Sequence, residues 1–151
     1  LTVAEVGVAR ASDRPLLVAF DFGLRRIGIA TGNRETRTAS PLTTLHVDRE
    51  LPWHDIDRVI ADWQPGQLVV GLPEGEGTAS IAAAARAFAA ALGERYRLPV
   101  ATVDETLTSV AAQSALAEGR RSGYLRRRQA RGQVDRLAAC LIAEQWMSEH
   151  S

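Results

Sequence analysis

Residues 16–30 read Leu16-Leu17-Val18-Ala19-Phe20-Asp21-Phe22-Gly23-Leu24-Arg25-Arg26-Ile27-Gly28-Ile29-Ala30, and the fold turns on this stretch. An apolar run of β-branched and aromatic side chains stops at a carboxylate. A glycine turn and a second apolar run follow, which is the pattern of a β-hairpin. Asp21 stands at the mouth of that hairpin. Carboxylates at strand ends are where α/β folds place groups that hold Mg²⁺ or meet phosphate. Gly23 and Gly28 lack a Cβ, so phosphate or another piece of backbone can come close there. Read alone, the pattern also fits a strand ending in a turn-forming Asp.

Beyond the hairpin, a third strand is expected around residues 36–45, after a turn containing Gly32-Asn33. Pro52 opens a helix whose Ile56, Val59, Ile60 and Trp63 share one face, and Pro65-Gly66 ends it. Residues 67–72 have the unbroken apolar character of a buried strand. A polar, glycine-rich loop over residues 74–80 leads into an alanine-rich helix reaching about Tyr96, and residues 98–103 make the fifth strand. Thr108 or Ser109 can cap a helix that ends before Gly119, and a last helix is expected from Gln129 to Met147. A three-strand meander followed by alternating helices and strands argues an α/β fold, a five-stranded mixed sheet flanked by helices. One domain over residues 16–148 is expected, with residues 1–15 as a loose N-terminal extension.

A chain of 151 residues, 46% hydrophobic, can bury a real core as one domain. No apolar run reaches the roughly 18 residues of a membrane span, and no signal-peptide pattern is present. The expectation is therefore a cytoplasmic protein with no membrane partner. Cys140, the single cysteine, excludes an internal disulfide and sits in an apolar helical run, where core packing is expected. There is no lysine, which removes the P-loop lysine, Schiff-base chemistry and lysine general bases. Formal net charge is zero, yet the arginines are unevenly placed. Arg120, Arg121, Arg126, Arg127, Arg128 and Arg131 crowd one segment with Tyr124, and no acid lies between Glu118 and Asp135. Such a segment can grip phosphates and stack on bases. A solvated surface loop is the plain alternative.

The carboxylates can be set on this frame. Asp21 ends the first strand, Asp104 and Glu105 follow the fifth, and Asp135 lies near the start of the last helix. Leu137, Ala138, Leu141 and Ile142 mark that helix's buried side, and an acid so close to it is costly unless paired or bound to metal. If these groups converge they form an oxygen-ligand site for Mg²⁺ or Mn²⁺, with no Cys or His nearby. Two such ions about 4 Å apart activate water and stabilise the leaving oxygen in phosphodiester hydrolysis. A turn role for Asp104 and a helix-dipole role for Asp135 each suffice alone. All three acids together favour a site.

Several motifs then follow one another in order: Asp21-Phe22-Gly23 with Arg26-Ile27-Gly28-Ile29-Ala30, Ala39-Ser40-Pro41-Leu42, and Val69-Val70-Gly71-Leu72-Pro73 with Gly77-Thr78. Asp104-Glu105-Thr106-Leu107-Thr108 and Val134-Asp135 with Ala138-Ala139 complete the set. Together they make the chain resemble the YqgF family, also called RuvX, over residues 16–146. The resemblance implies an RNase H-like fold and a nuclease using Mg²⁺ or Mn²⁺, with Asp21, Glu105 (and Asp104 beside it) and Asp135 as its acids. Asp21 would bridge the metals. Arg25, Arg26, Arg120, Arg121, Arg126, Arg127, Arg128 and Arg131 are the expected nucleic-acid contacts. The implied substrates are the 5′ end of pre-16S ribosomal RNA, met in ribosomal precursor particles, or the Holliday junction, a branched DNA. The chain would act as a monomer or a homodimer, and the two-fold symmetry of a four-way junction suits the dimer.

The chain departs from the family pattern in places. Leu24 stands where a small hydroxyl residue such as Thr is usual, Thr106 replaces a common arginine, and Gln133 a common lysine. The loop Glu74-Gly75-Glu76 is one residue short. The wider RNase H-like class often carries its second acid at the end of the fourth strand, where this chain has Gly71-Leu72-Pro73. The second ligand must then come from the fifth strand or from Glu74; Glu105 is preferred, because the family usually has an apolar residue at position 74.

Other candidates have simpler explanations. His46, His54 and His150 are dispersed without metal-ligand spacing, and Ser40, Ser80 and Ser109 have no evident His–acid partner. Trp53 and Trp63 are expected to pack, while Trp146 fits either a core or an interface. Gly75-Glu76-Gly77-Thr78 could cradle a phosphate, but its two nearby acids weigh against that. Two functions stay open: a metal-dependent nuclease, and a binding module for nucleic acid or ribosome assembly on the same fold without catalysis. An actin-like or sugar-kinase ATPase is excluded, since 151 residues leave no room for its duplicated domain and second phosphate loop.

Overall fold

The computed structural model describes residues 10–104 and 127–150, with residues 127–131 described by their backbone alone. β1 (Leu16–Phe22) and β2 (Arg26–Asn33) form the expected antiparallel hairpin, and β3 (Thr38–His46) pairs antiparallel with β2. On its other side β1 runs parallel to β4 (Gln67–Leu72), which runs parallel to β5 (Val100–Asp104). The order is β3-β2-β1-β4-β5, the mixed five-stranded sheet read from the chain. β1 and β4 are central and covered on both faces, which is why their apolar runs do not alternate.

Two helices, α1 (Trp53–Trp63) and α2 (Ala79–Tyr96), cover one face. Ile56, Val59, Phe88 and Leu92 pack there on Val18, Phe20, Ile27, Ile29, Leu68 and Val70. The last helix, α3 (Arg127–Glu149), crosses the other face, where Ile142, Ala143, Trp146 and Met147 meet Leu17, Ala19, Val69 and Val103. Its buried stripe differs from the one expected. Ala138, Ala139, Cys140, Ile142 and Ala143 are buried, whereas Leu137 and Leu141 are only half-buried. Small side chains let the helix lie close on the sheet, so the contact stripe centres on alanines and the leucines move to its flanks. Cys140 packs in this core, its thiol pushed up to about 11 by burial. Trp146 is also core.

Other boundaries shift for local reasons. β2 runs on to Asn33, and the chain reverses over residues 34–37 with Arg37 at φ 59°. Arg37 Nη2 then donates to the Met147 carbonyl at 2.8 Å, a cation at the carboxyl end of α3. β5 starts at Val100, after Pro99, whose carbonyl accepts from Leu68 N. Trp53 stacks on Phe88 at 5.8 Å as expected, but Trp63, in the last position of α1, keeps 37% of its surface exposed. Residues 11–14 lie against Gly66, and Arg34 Nη2 donates to the Ser12 and Arg14 carbonyls. The helix expected between Thr108 and Gly119 falls outside the described residues.

A clamp ties α1 to α2. Asp57 accepts from Arg95 Nε and Nη2, both at 2.8 Å, and from the Tyr96 hydroxyl at 2.6 Å. The Arg95 guanidinium, and after it the Tyr96 hydroxyl, holds the Asp57 carboxyl well below the usual carboxylate range. A carboxyl depressed in the folded state adds stability above its unfolded value, about 4, and loses it as pH falls below that. The gap in urea midpoint between wild type and Asp57→Asn is therefore expected to be wider at pH 7 than at pH 3. An equal gap at both would mean that the clamp contributes nothing through charge.

Candidate active site

Strand register sets a transverse row across the sheet. Asp21 pairs with Gly28 on β2 and with Gly71 on β4; Gly28 pairs with Thr44 on β3, and Gly71 with Val103 on β5. Residues in register project from the same face. Leu17, Ala19 and Val103 pack against α3, so Asp21 projects to the α3 face as well, half-buried at the end of β1.

α3 comes down on this row at Gly28. A Cβ on Gly28 would fall on the Asp135 carbonyl and 2.8 Å from the Asp135 Cβ. Only glycine leaves room for the helix here, and it brings Asp135 over the strand position opposite Asp21. The Asp135 carboxylate accepts from Arg26 Nε through Oδ2 at 2.7 Å, with side-chain exposures of 28% for Arg26 and 16% for Asp135. The acid beside the buried stripe is thus paired, as its position requires. Arg26, expected to contact nucleic acid, engages Asp135 through Nε, while Arg25 is exposed.

Asp104 stands differently. It pairs with Leu72, whose side chain belongs to the core under α1 and α2, so register assigns Asp104 to that opposite face, at the exposed end of β5. There it meets Glu74, which follows β4. A hydrogen bond with Asp104, reinforced by the Asp104 charge, holds the Glu74 carboxyl above its usual value. Two touching carboxyls are comfortable only when they share a proton or a cation. The Glu74–Asp104 contact was not legible in the sequence, although a residue just past one parallel strand and one ending its neighbour are natural companions. Nothing in the sequence signalled the Arg26–Asp135 pair, whose partners are 109 positions apart.

Glu105, Arg120, Arg121 and Arg126 lie outside the described residues, and so do the side chains of Arg127, Arg128 and Arg131. Among the described residues, no three His, Cys, Asp or Glu side chains gather to hold one metal ion. The donors at these strand ends are nonetheless all carboxylate oxygens, a set that suits a hard cation such as Mg²⁺ or Mn²⁺. Asp135 takes Arg26 on Oδ2, and its Oδ1 makes no hydrogen bond among the described residues.

The model of the RuvX family, described as Holliday junction resolvase, matches residues 16–149. A Legionella pneumophila protein named "Putative pre-16S rRNA nuclease" is 42% identical over 139 residues, covering 90% of this chain and 97% of its own length. A Pseudomonas aeruginosa protein of the same name is 42% identical over 146 residues, with coverages of 93% and 98%. Among solved structures, T. thermophilus RuvC in complex with a Holliday junction substrate superposes with a TM-score of 0.52 at 13% identity, over 89% of this chain and 95% of its own. The fowlpox virus Holliday junction resolvase gives 0.53 at 14% identity, over 89% and 99%. At such identities the likeness is one of fold, and the fold is RNase H-like. With the family model running from the first residue of β1 to the last of α3, and two relatives at 42% identity along most of their length, the chain belongs to the RuvX family.

Proposed function

We propose that this protein is a divalent-metal-dependent endonuclease that hydrolyses phosphodiester bonds, and that it acts at the 5′ end of pre-16S ribosomal RNA. The observation that carries the reading is that α3 sets Asp135 over Gly28, the β2 residue paired with Asp21, in a RuvX-family chain. The names of the two 42% identical relatives favour the RNA substrate. The family's own description favours a second reading, resolution of branched DNA.

Asp21, Asp135 and Glu105 would hold Mg²⁺ or Mn²⁺, while Asp104, which register turns to the opposite face, stands apart from them beside Glu74. When bound, such an ion supplies positive charge at the scissile phosphate and lowers the pKa of water. The protein's own part is to orient. Asp21 is fixed by a central strand whose neighbouring Ala19 and Phe20 are fully buried. Arg26 holds the Asp135 carboxylate through one oxygen and so sets the direction of the other. Ala19, Val69 and Val103 form an apolar floor that keeps water from behind the carboxylates. Arg25 and the arginines from Arg120 to Arg131 are the proposed grip on the nucleic-acid backbone. No helix among the described residues is long and apolar enough to cross a membrane, and the cytoplasm is the proposed location because the proposed substrate is there.

The test is cleavage of a labelled 16S precursor leader and of a four-way DNA junction, each with Mg²⁺, Mn²⁺ or a chelator. The RNA is expected to be cut with metal and left intact with chelator. Cutting confined to the junction would move the assignment to branched DNA. Binding of either without cutting would leave a non-catalytic module for nucleic acid or ribosome assembly.

A further inference from the structure

Thr44 closes the transverse row on β3, one strand beyond Gly28. Its hydroxyl donates to the Gly132 carbonyl at 2.8 Å, which points its lone pairs away from the helix backbone and toward Arg136, whose Nη1 lies 3.4 Å away. A cavity of about 270 Å³ opens beside this contact, lined by Pro41, Gln133, Arg136 and Leu137. Pro41 pairs with Ala30 and Thr44 with Gly28, so both project to the α3 face, and the cavity lies between the edge strand and the helix.

The electrostatics of this cavity differ from those of the strand ends. The ion pairs among the described residues are Arg26–Asp135 and Arg95–Asp57, so Arg136 has no acidic partner there. A guanidinium carries five N–H donors in a planar fork, and Thr44 takes one at long range. Asp135, the residue before it on α3, has its charge answered by Arg26. Gln133 adds a neutral side-chain amide to the same lining. β3 is an edge strand, but Pro41 and the register shift at Ile29/Ala30 interrupt its edge, so a further strand is disfavoured as the occupant.

We propose that Arg136, with Gln133 and Thr44, binds a backbone phosphate of the nucleic-acid substrate next to the scissile one. The proposal rests on the nuclease reading for where the scissile phosphate lies. Thr44 is two strand spacings from Asp21, about 10 Å across the sheet, which places the cavity beside the reacting atoms rather than at them. A phosphodiester matches the guanidinium fork bidentately, so the site recognises backbone and carries no base preference. Arg136 is a binding residue here and touches no reacting atom.

The test compares wild type, Arg136→Gln and Arg136→Lys for binding as a function of salt, made in the Asp21→Asn background so that substrate survives. Cleavage kinetics are measured alongside with Asp21 intact. Arg136→Gln is expected to raise Kd and KM by about five- to tenfold, with the effect in KM rather than kcat. It is also expected to lower the slope of log K against log salt by about 0.7–0.9. Arg136→Lys is expected to keep the slope and recover part of the affinity, because it keeps the charge and loses the fork. If Arg136→Gln melts lower than wild type, Gln133→Ala, which spares the Thr44–Arg136 contact, carries the test and is expected to raise KM. Unchanged Kd and slope in a stably folded Arg136→Gln protein overturn the proposal. Binding that weakens in Arg136→Gln, in a protein that never cleaves, overturns the nuclease reading and supports this site. Absence of any nucleic-acid binding overturns both.

Discussion

Gly28→Ala is expected to lower the melting temperature by roughly 10 °C and to remove cleavage well below the new melting point. The added methyl group has nowhere to go, because it falls on the Asp135 carbonyl and 2.8 Å from the Asp135 Cβ. The obstacle is helix backbone, which cannot turn aside as a side chain can. Either α3 lifts from the sheet or β2 bends, and both separate Ala139 and Cys140 from Ala30. Overpacking costs about 1–3 kcal/mol and more when backbone must move, and each kcal/mol shifts the melting point of a chain this size by about 2–4 °C. Gly32→Ala on the same strand is the control. Its Cβ would meet Leu17 side-chain atoms at 2.9, 3.0 and 3.3 Å, a side chain rather than helix backbone, so a smaller shift is expected. Lost activity at a temperature where Gly28→Ala is still folded would separate displacement of Asp135 from simple unfolding. A wild-type melting curve for Gly28→Ala would mean that the helix does not rest on β2.

Asp21→Asn is expected to slow metal-dependent cleavage by about a thousandfold, ~4 kcal/mol of transition-state stabilisation, with the fold intact. Asparagine keeps the shape of the side chain, and the buried neighbours Ala19, Phe20 and Phe22 hold the strand in place. What is lost is the negative charge that draws a hard cation to the end of β1. The same variant is expected to lose any rise in melting temperature that Mg²⁺ or Mn²⁺ gives wild type, since a ion that binds only the folded state stabilises it. Full-rate cleavage by Asp21→Asn would remove Asp21 from the site and leave the Glu74–Asp104 pair as the place to look for metal.

Much of the fold could be read along the chain because its signals are local. The apolar runs of β1 and β4 reported strands covered on both faces, and the spacing of Ile56 and Val59 reported a helix with one buried side. Trp63 is covered less than expected because periodicity gives a direction around a helix and not how far the neighbouring layer extends; at the end of α1 it keeps 37% of its surface exposed. The stripe on α3 was misplaced for a related reason. Ala138 and Ile142 are buried as expected, but hydrophobicity also picks out Leu137 and Leu141, while close approach to a sheet selects Ala139 and Ala143.

The acids divide along the same line. That Asp21 ends a strand, and that Asp135 beside an apolar stripe needs a partner, followed from residue type and position alone, because burying an unpaired charge is costly in any fold. That the partner is Arg26, that Gly28 is the gap through which the helix reaches Asp21's row, and that Asp104 turns to the other face to meet Glu74 were decided by strand register and helix placement. These are contacts between residues far apart in the chain. A linear pattern records what each residue prefers, and only packing in three dimensions chooses which of the remote groups satisfies it.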